Sequence, residues 1–351
     1  MLHNSSMRTY HSIVAVLFLA LPLLSCQPPR EHAAEFFVFG TRVEVVVRDA
    51  GQQAANSAFA ELQQRFQTMH RDWHAWEPGV LTGINASFAS GQSVSVPQDI
   101  RILIEMSQAL EIRTGGRFNA ACGALVGLWG FHTSVFPINS PPPAEAEISR
   151  LVDARISAND IVLEGDMAYS RNPLVQLDFG GIAKGHAVDL ALEILNSHGI
   201  HEAIINAGGD LLASGSDPAR PWRVGIRRPG GGLIGGIEVS GIEAVFTSGI
   251  DQRYLQDEGN RYPHIIDPRT GQPVSGLASV TVIAGRGSYA DAAATALMVG
   301  GRESWQELLQ SLDLESVLLI DDEGELIMTP AMEKRLILGD EAELANASPE
   351  N

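Results

Sequence analysis

Apolar residues recur along this chain with two periods, and each period marks a kind of element. Over residues 36–47, Phe37, Phe39, Val43, Val45 and Val47 share one parity and Arg42, Glu44 and Arg48 the other, which predicts a half-buried strand. Gly40-Thr41 interrupts it, as a bulge or a close approach of backbone would. Phe59, Leu62, Phe66, Met69 and Trp73 then step by three and four, the pattern of an amphipathic helix facing a core. A second helix is predicted over 99–114, stopped by Gly115-Gly116. Ile161-Val162-Leu163 and Ala168-Tyr169 flank Glu164-Gly165-Asp166, a hairpin signal. Further along, strands are expected at 203–205, 222–226, 237–239, 244–247 and 279–284, with a glycine-rich loop at 230–236. Helices are expected at 186–195, 289–299 and 305–312, and a last hairpin joins 317–320 to 326–328 through the turn 321–324.

The two ends break both periods. Arg8 precedes an apolar run from Ile13 to Leu24 that is short for a membrane span, so residues 1–25 read as an export signal. The run ends Leu23-Leu24-Ser25-Cys26, which resembles the lipobox of bacterial lipoproteins and makes Cys26 the expected lipidated residue. An ordinary signal peptide cut nearby, or a signal anchor, is the alternative. Residues 26–35 then form a tether, 36–338 the folded domain, and 339–351 an acidic, disordered tail. With Cys26 acylated, Cys122 stands alone, as a small packing residue. The 351 residues are 45% hydrophobic and 19% charged, as a folded soluble body requires. A net charge of −18 argues against general nucleic-acid binding.

Candidate chemistry gathers where charge is sparse. The stretch Leu177-Asp178-Phe179-Gly180-Gly181-Ile182-Ala183-Lys184-Gly185 ends an apolar run in a carboxylate, turns on two glycines and opens a helix beside a lysine. Backbone N–H groups at such a turn suit phosphate oxygens. A tight turn with a surface lysine is the plain alternative. Asp291 and Thr295 lie one turn apart on one helical face among alanines, where two oxygens can hold a hard cation; a carboxylate complementing its own helix start is the plainer reading. His264 stands in a polar turn running from Tyr262 to Gly271, as a base or as a structural cap. Trp73 and Trp76 leave the first helix together, an arrangement commoner in cores than in cofactor stacks.

Taken in order, these pieces resemble the ApbE family of FAD:protein FMN transferases. The resemblance runs through Gly40-Thr41, Gly116-Arg117-Phe118-Asn119, Leu128-Trp129-Gly130-Phe131, Leu177 to Gly185, Asn206-Ala207-Gly208-Gly209-Asp210, Thr247-Ser248-Gly249, His264 to Gly271, and Ala290-Asp291-Ala292 with Thr295. It implies an α+β, T-fold-like architecture of antiparallel sheets with packed helices and an active-site cleft between two halves. It implies transfer of FMN from FAD to a Thr or Ser hydroxyl of a target protein, with Mg²⁺ bound and AMP released. Hydrolysis of FAD to FMN and AMP, and non-enzymatic flavin carriage, are the competing activities. Asp291 and Thr295 match the side-chain metal ligands, with a backbone carbonyl of the Gly181–Ala183 turn beside them. Phe39, Trp76, Asp178, Lys184 and the backbone of Arg117, Phe118 and Asn119 match FAD-contacting positions, and His264 matches the general base. Phe39 stands where Met is usual and Asn119 where Asp is usual. The expected acceptor is a respiratory flavoprotein subunit. The expected location is periplasmic or on the outer face of the cytoplasmic membrane, held there by the lipid on Cys26.

Overall fold

The computed structural model describes residues 31–339 apart from 216 and 218. Cys26, the leader and the tail from 340 onward lie outside the described residues. The described chain begins with β1 (Glu31–Val38) and β2 (Thr41–Arg48), then α1 (Gln52–Asp72) and α2 (Val80–Ala89). The short β3 (Val94–Ser95), α3 (Gln98–Arg113), α4 (Gly123–Leu128), β4 (Ile138–Asn139) and α5 (Glu145–Asp153) follow. The hairpin β5 (Ile161–Glu164) and β6 (Met167–Ser170) leads to α6 (Ala183–Ser197). Then come β7 (Glu202–Ala207), β8 (Asp210–Gly215), β9 (Trp222–Arg227), β10 (Leu233–Val239), β11 (Gly241–Gly249), β12 (Tyr254–Asp257) and β13 (Asn260–Pro263). β14 (Leu277–Ala284), α7 (Gly287–Ser311), β15 (Ser316–Asp321), β16 (Leu326–Met328), α8 (Pro330–Arg335) and β17 (Ile337–Leu338) complete it.

Eight strands make one antiparallel sheet in the order β1-β2-β7-β8-β11-β14-β15-β16. Successive side chains leave a strand on opposite faces. Val43, Val45, Val47, Leu212, Phe246, Val280, Val282 and Leu319 therefore share one core with α1, α3, α6 and α7. Leu211, Ala213, Val245, Ile283, Leu318 and Ile320 point the other way, onto Trp222, Val224, Ile226, Ile234 and Ile237 of the three-stranded sheet β17-β10-β9. Burial on both faces explains why the middle strands read as unbroken apolar runs. A third, smaller cluster joins Leu125, Trp129 and Phe131 to Ile148, Leu151, Leu255 and Ile266. The antiparallel α+β expectation holds.

Four details depart from the sequence reading. The expected single strand over 36–47 is a hairpin, because Phe39 (φ 56°) and Gly40 (φ 69°) form a tight turn with two positive φ values. Its register sets Phe36 opposite Val43, so Phe36 and Val38 face inward while Phe37 is 80% exposed. The second half of the expected tether, Glu31 to Glu35, is already strand β1, paired with β2 across Glu31↔Arg48 to Glu35↔Glu44. Part of the expected glycine loop is strand: Gly235 and Gly236 pair with Leu338 and Ile337. A Cβ on Gly235 would stand 2.3 Å from the Ile337 carbonyl oxygen, so glycine there serves close packing. Finally, the helices expected at 289–299 and 305–312 run together as α7, broken at Gly301 (φ 61°).

Candidate functional site

Two helix N-termini cross at the centre of the site. A Cβ on Gly185 would stand 2.2 Å from the Gly287 carbonyl oxygen, so the backbones of α6 and α7 touch where neither carries a side chain. Neither helix is capped by the side chain of its own N-cap residue. Each is served by the other instead. Asp189 of α6 accepts from the N–H groups of Gly287 (2.6 Å) and Ser288 (3.0 Å) and from the Ser288 hydroxyl (2.6 Å). Asp291 of α7 accepts through Oδ2 from the Gly185 N–H (3.0 Å). Asp291 does complement a helix start, but that of its neighbour. Its Oδ1 makes no hydrogen bond to any described residue. Burial pushes its carboxyl up to about 7; Lys184 opposes the rise and Asp210 adds to it.

Thr295 sits one turn along α7. Its hydroxyl donates to the Asp291 carbonyl (3.2 Å) and lies 3.4 Å from the Ser248 hydroxyl on β11. The Gly180-Gly181 turn passes directly over it: a Cβ on Gly181 would come within 3.0 Å of Thr295 Oγ1 and 3.4 Å of the Phe118 ring. Ala183 opens α6 at the end of this turn. The side-chain donors gathered here are oxygens, from one carboxylate and two hydroxyls. No group of three or more His, Cys, Asp or Glu able to hold a metal occurs among the described residues. A carboxylate with hydroxyls is a donor chemistry that fits a hard cation taking its other ligands from water and phosphate.

Lys184 is not free. Its ammonium pairs with Asp210 Oδ2, and Asp210 Oδ1 accepts from the Thr247 N–H (2.9 Å). Burial alone would lower the lysine, but Asp210 and Asp291 outweigh it and hold the group above its ordinary value. The Gly208-Gly209 turn before Asp210 has positive φ at both residues, and a Cβ on Gly208 would collide with Thr41 Oγ1 at 2.3 Å. That contact ties two of the sequence motifs together.

His264 follows β13. Its N–H donates to the Arg253 carbonyl (3.0 Å), and its Nδ1 lies 3.2 Å from the same oxygen. A carbonyl oxygen only accepts, so Nδ1 carries the proton and Nε2 presents the lone pair. Burial, then the charge of Arg253, pushes the imidazole down to about 4, so it is neutral at pH 7. Its ring meets Phe131 edge-on at 6.4 Å, which sets it against the smaller core cluster.

The two tryptophans part company. Trp73 is core, 6% exposed, between Phe39 (6.4 Å, 18°) and His186 (5.5 Å, 23°). Trp76 is half-buried and stacks on His132 (5.2 Å, 16°), whose Nε2 lies 3.2 Å from Asp178 Oδ2. Asp178 Oδ1 accepts from the Gly180 N–H at 2.8 Å. Other matched residues look elsewhere. The Arg117 guanidinium points to Thr114 and Ser304 (3.1 and 3.0 Å), and the Asn119 side chain holds the backbones of Ala121 and Ile156 (both 2.8 Å). Phe118 is buried, and its N–H goes to Thr114 Oγ1 (3.0 Å). The N–H groups of Arg117 and Phe118 are also held, by Thr114. Phe39 packs on Phe66, His70 and Trp73. Cys122 donates to the Asn119 carbonyl (2.9 Å), with burial pushing its thiol up to about 12, as a packing cysteine should be.

Sequence reasoning missed His132, Asn85 and Asp189, and gave Asp210 no role. Asn85 holds both the N–H (2.7 Å) and the carbonyl (3.0 Å) of Leu177, fixing the irregular segment that delivers Asp178. Its helix, α2, carried no signal that it would face this segment.

The sequence profile of the ApbE family matches residues 39–318. A Rhodobacter capsulatus protein named FAD:protein FMN transferase is 40% identical over 338 residues, which are 95% of this chain and 64% of that protein. The chain therefore spans slightly less than two thirds of that relative. An Escherichia coli K12 protein of the same name is 28% identical over 332 residues, 90% of this chain and 94% of its own length. The crystal structure of the Thermotoga maritima ApbE protein gives a TM-score of 0.78 at 27% identity, covering 88% of this chain and all of that one. The apo flavinyl transferase ApbE of Pseudomonas stutzeri gives 0.78 at 27% identity, covering 89% and 98%. With the family profile covering most of the chain and the same fold in the solved structures, the chain belongs to the ApbE family.

Proposed function

We propose that the protein transfers the FMN moiety of FAD to a Thr or Ser hydroxyl of a target protein and releases AMP. One observation carries this reading: a carboxylate and a hydroxyl one turn apart on α7, the glycine turn over them and a lysine paired with Asp210 lie within charge range of a neutral histidine whose Nε2 has no partner among the described residues. That is a site for a diphosphate and a hydroxyl nucleophile. His264 Nε2 takes the proton of the acceptor hydroxyl. The oxygen bonds to the phosphorus of the FMN half, the bridging P–O bond breaks, and the electron pair leaves with AMP. Asp291, Thr295 and a carbonyl of the Gly181–Ala183 turn would hold Mg²⁺, which supplies positive charge beside the diphosphate. Lys184 shares its charge between Asp210 and the incoming phosphate. Asp178 and Trp76 bind the ring end of FAD, with Phe39 and the backbone of Arg117, Phe118 and Asn119 along its rim.

The leader places the protein outside the cytoplasmic membrane, held by a lipid on Cys26, where respiratory flavoprotein subunits offer acceptor hydroxyls. No helix among the described residues is long and apolar enough to cross a membrane. The test is incubation of the full chain with FAD, Mg²⁺ and a Thr-bearing acceptor domain, following AMP and the acceptor's mass. Gain of one FMN on the acceptor, lost on chelation of Mg²⁺, supports transfer. AMP with an unmodified acceptor means hydrolysis of FAD, and flavin binding without AMP means a carrier.

A further inference from the structure

We propose that His132 is a positioning residue for the ring end of the FAD site, joining Trp76 and Asp178 into one preformed unit. The inference rests on the reading above, in which those two residues contact FAD. His132 is the first residue beyond the Leu128-Trp129-Gly130-Phe131 motif, and nothing in that motif assigns it a role. Its imidazole lies nearly parallel to the Trp76 indole, at 5.2 Å and 16°. Its Nε2 reaches Asp178 Oδ2 at 3.2 Å, and the two side chains are 15% and 12% exposed. Gly127 makes room for the ring: a Cβ there would stand 3.0 Å from His132 Nδ1. His74 meets Trp76 edge-on at 4.4 Å and 70°.

These contacts do two things. With Oδ1 held by the Gly180 N–H and Oδ2 by His132, the Asp178 carboxylate is fixed in one orientation before ligand arrives. With the imidazole of His132 stacked on the indole and His74 meeting it edge-on, the half-buried Trp76 ring is held in one orientation before a flat ring arrives. A site so prepared binds without first ordering its side chains. His264, Lys184 and Asp291 make no hydrogen bond, ion pair or ring contact with His132 among the described residues, so its contribution falls on FAD affinity and not on the chemical step.

The experiment measures FAD binding by flavin fluorescence without acceptor, and KM and kcat for FAD with acceptor. His132→Ala is expected to raise Kd and KM for FAD about tenfold, with kcat at saturating FAD unchanged. His132→Phe, which keeps the stack, and His132→Gln, which keeps a donor, should each recover part of the loss; they also serve if the alanine variant does not fold. In an Asp178→Asn background, His132→Phe should cost less than in the wild type, because its hydrogen-bonded partner has changed. Wild-type affinity in all three His132 variants, or a fall in kcat with KM unchanged, overturns the proposal. Trp76→Ala and Asp178→Ala are measured beside them: if both bind FAD like the wild type, the placement of FAD is what fails.

Discussion

His264 shows how one side chain's surroundings set its chemistry. A histidine at its ordinary value would be largely protonated below about pH 6.5, but burial and Arg253 hold this one near 4, so Nε2 stays unprotonated through the neutral range. His264→Ala is expected to lower transfer by about 10²–10⁴-fold. In the wild type, this group should produce no inflection near pH 6.5 in the kcat/KM profile; an inflection there that disappears in the variant would sink the assignment. Gly181 makes a second prediction. A methyl group at 181 must share space with Thr295 Oγ1 and the Phe118 ring, so Gly181→Ala should weaken Mg²⁺ binding about tenfold or more, read by metal titration of the FAD complex. Some of this was legible in the sequence. Asp291 and Thr295 were found because four residues make one helical turn, a purely local relation. The Lys184–Asp210 pair and the His132–Asp178 contact were not, because each joins residues from separate elements and no local period encodes them.

At the scale of elements, the crossing of α6 and α7 is what gives those residues a common location. Buried helix ends leave N–H groups without partners, and here the partners are exchanged between helices. Asp189→Ala removes three hydrogen bonds from the start of α7, two of them from backbone N–H groups that would be left buried. It should destabilise the fold by about 3 kcal/mol, measured by urea unfolding, with the m-value unchanged. A loss within about 0.5 kcal/mol of zero would show that water replaces the carboxylate and that the crossing does not depend on it. The sequence marked both helices but not their crossing, since glycines at 185 and 287 look like ordinary turn residues until their backbones are seen to touch. The hairpin of β1 and β2 was misread for a related reason. Its turn places a phenylalanine at positive φ, so the period-two pattern ran on through a reversal of direction.

For the whole molecule, the sheet has one face on the helical core and the other on a smaller sheet, where the sequence marks only separate short strands. What it could not announce is the polarity hidden in the helical core. His186 is 2% exposed, stacked on Trp73, and neither ring nitrogen has a hydrogen-bond partner among the described residues. Burial pushes its imidazole below the ordinary value, so the folded protein keeps it neutral while the unfolded chain takes up a proton below about pH 6.5. The unfolded state then binds more protons, and stability is lost as pH falls from about 6.5 toward the folded value. Wild-type unfolding alone does not isolate this, because Asp291, raised to about 7, contributes with the opposite sign over part of the same range. The comparison with His186→Phe does. Phenylalanine keeps the ring against Trp73 and removes two unpartnered nitrogens, so the variant should be more stable by about 1 kcal/mol at pH 7.5. Its advantage should widen as pH falls below 6.5, because only the wild type must exclude a proton there. Urea midpoints at pH 7.5, 6.0 and 5.0 would measure it, and a gap that stays constant or narrows on acidification would mean that His186 is solvated or partnered in solution.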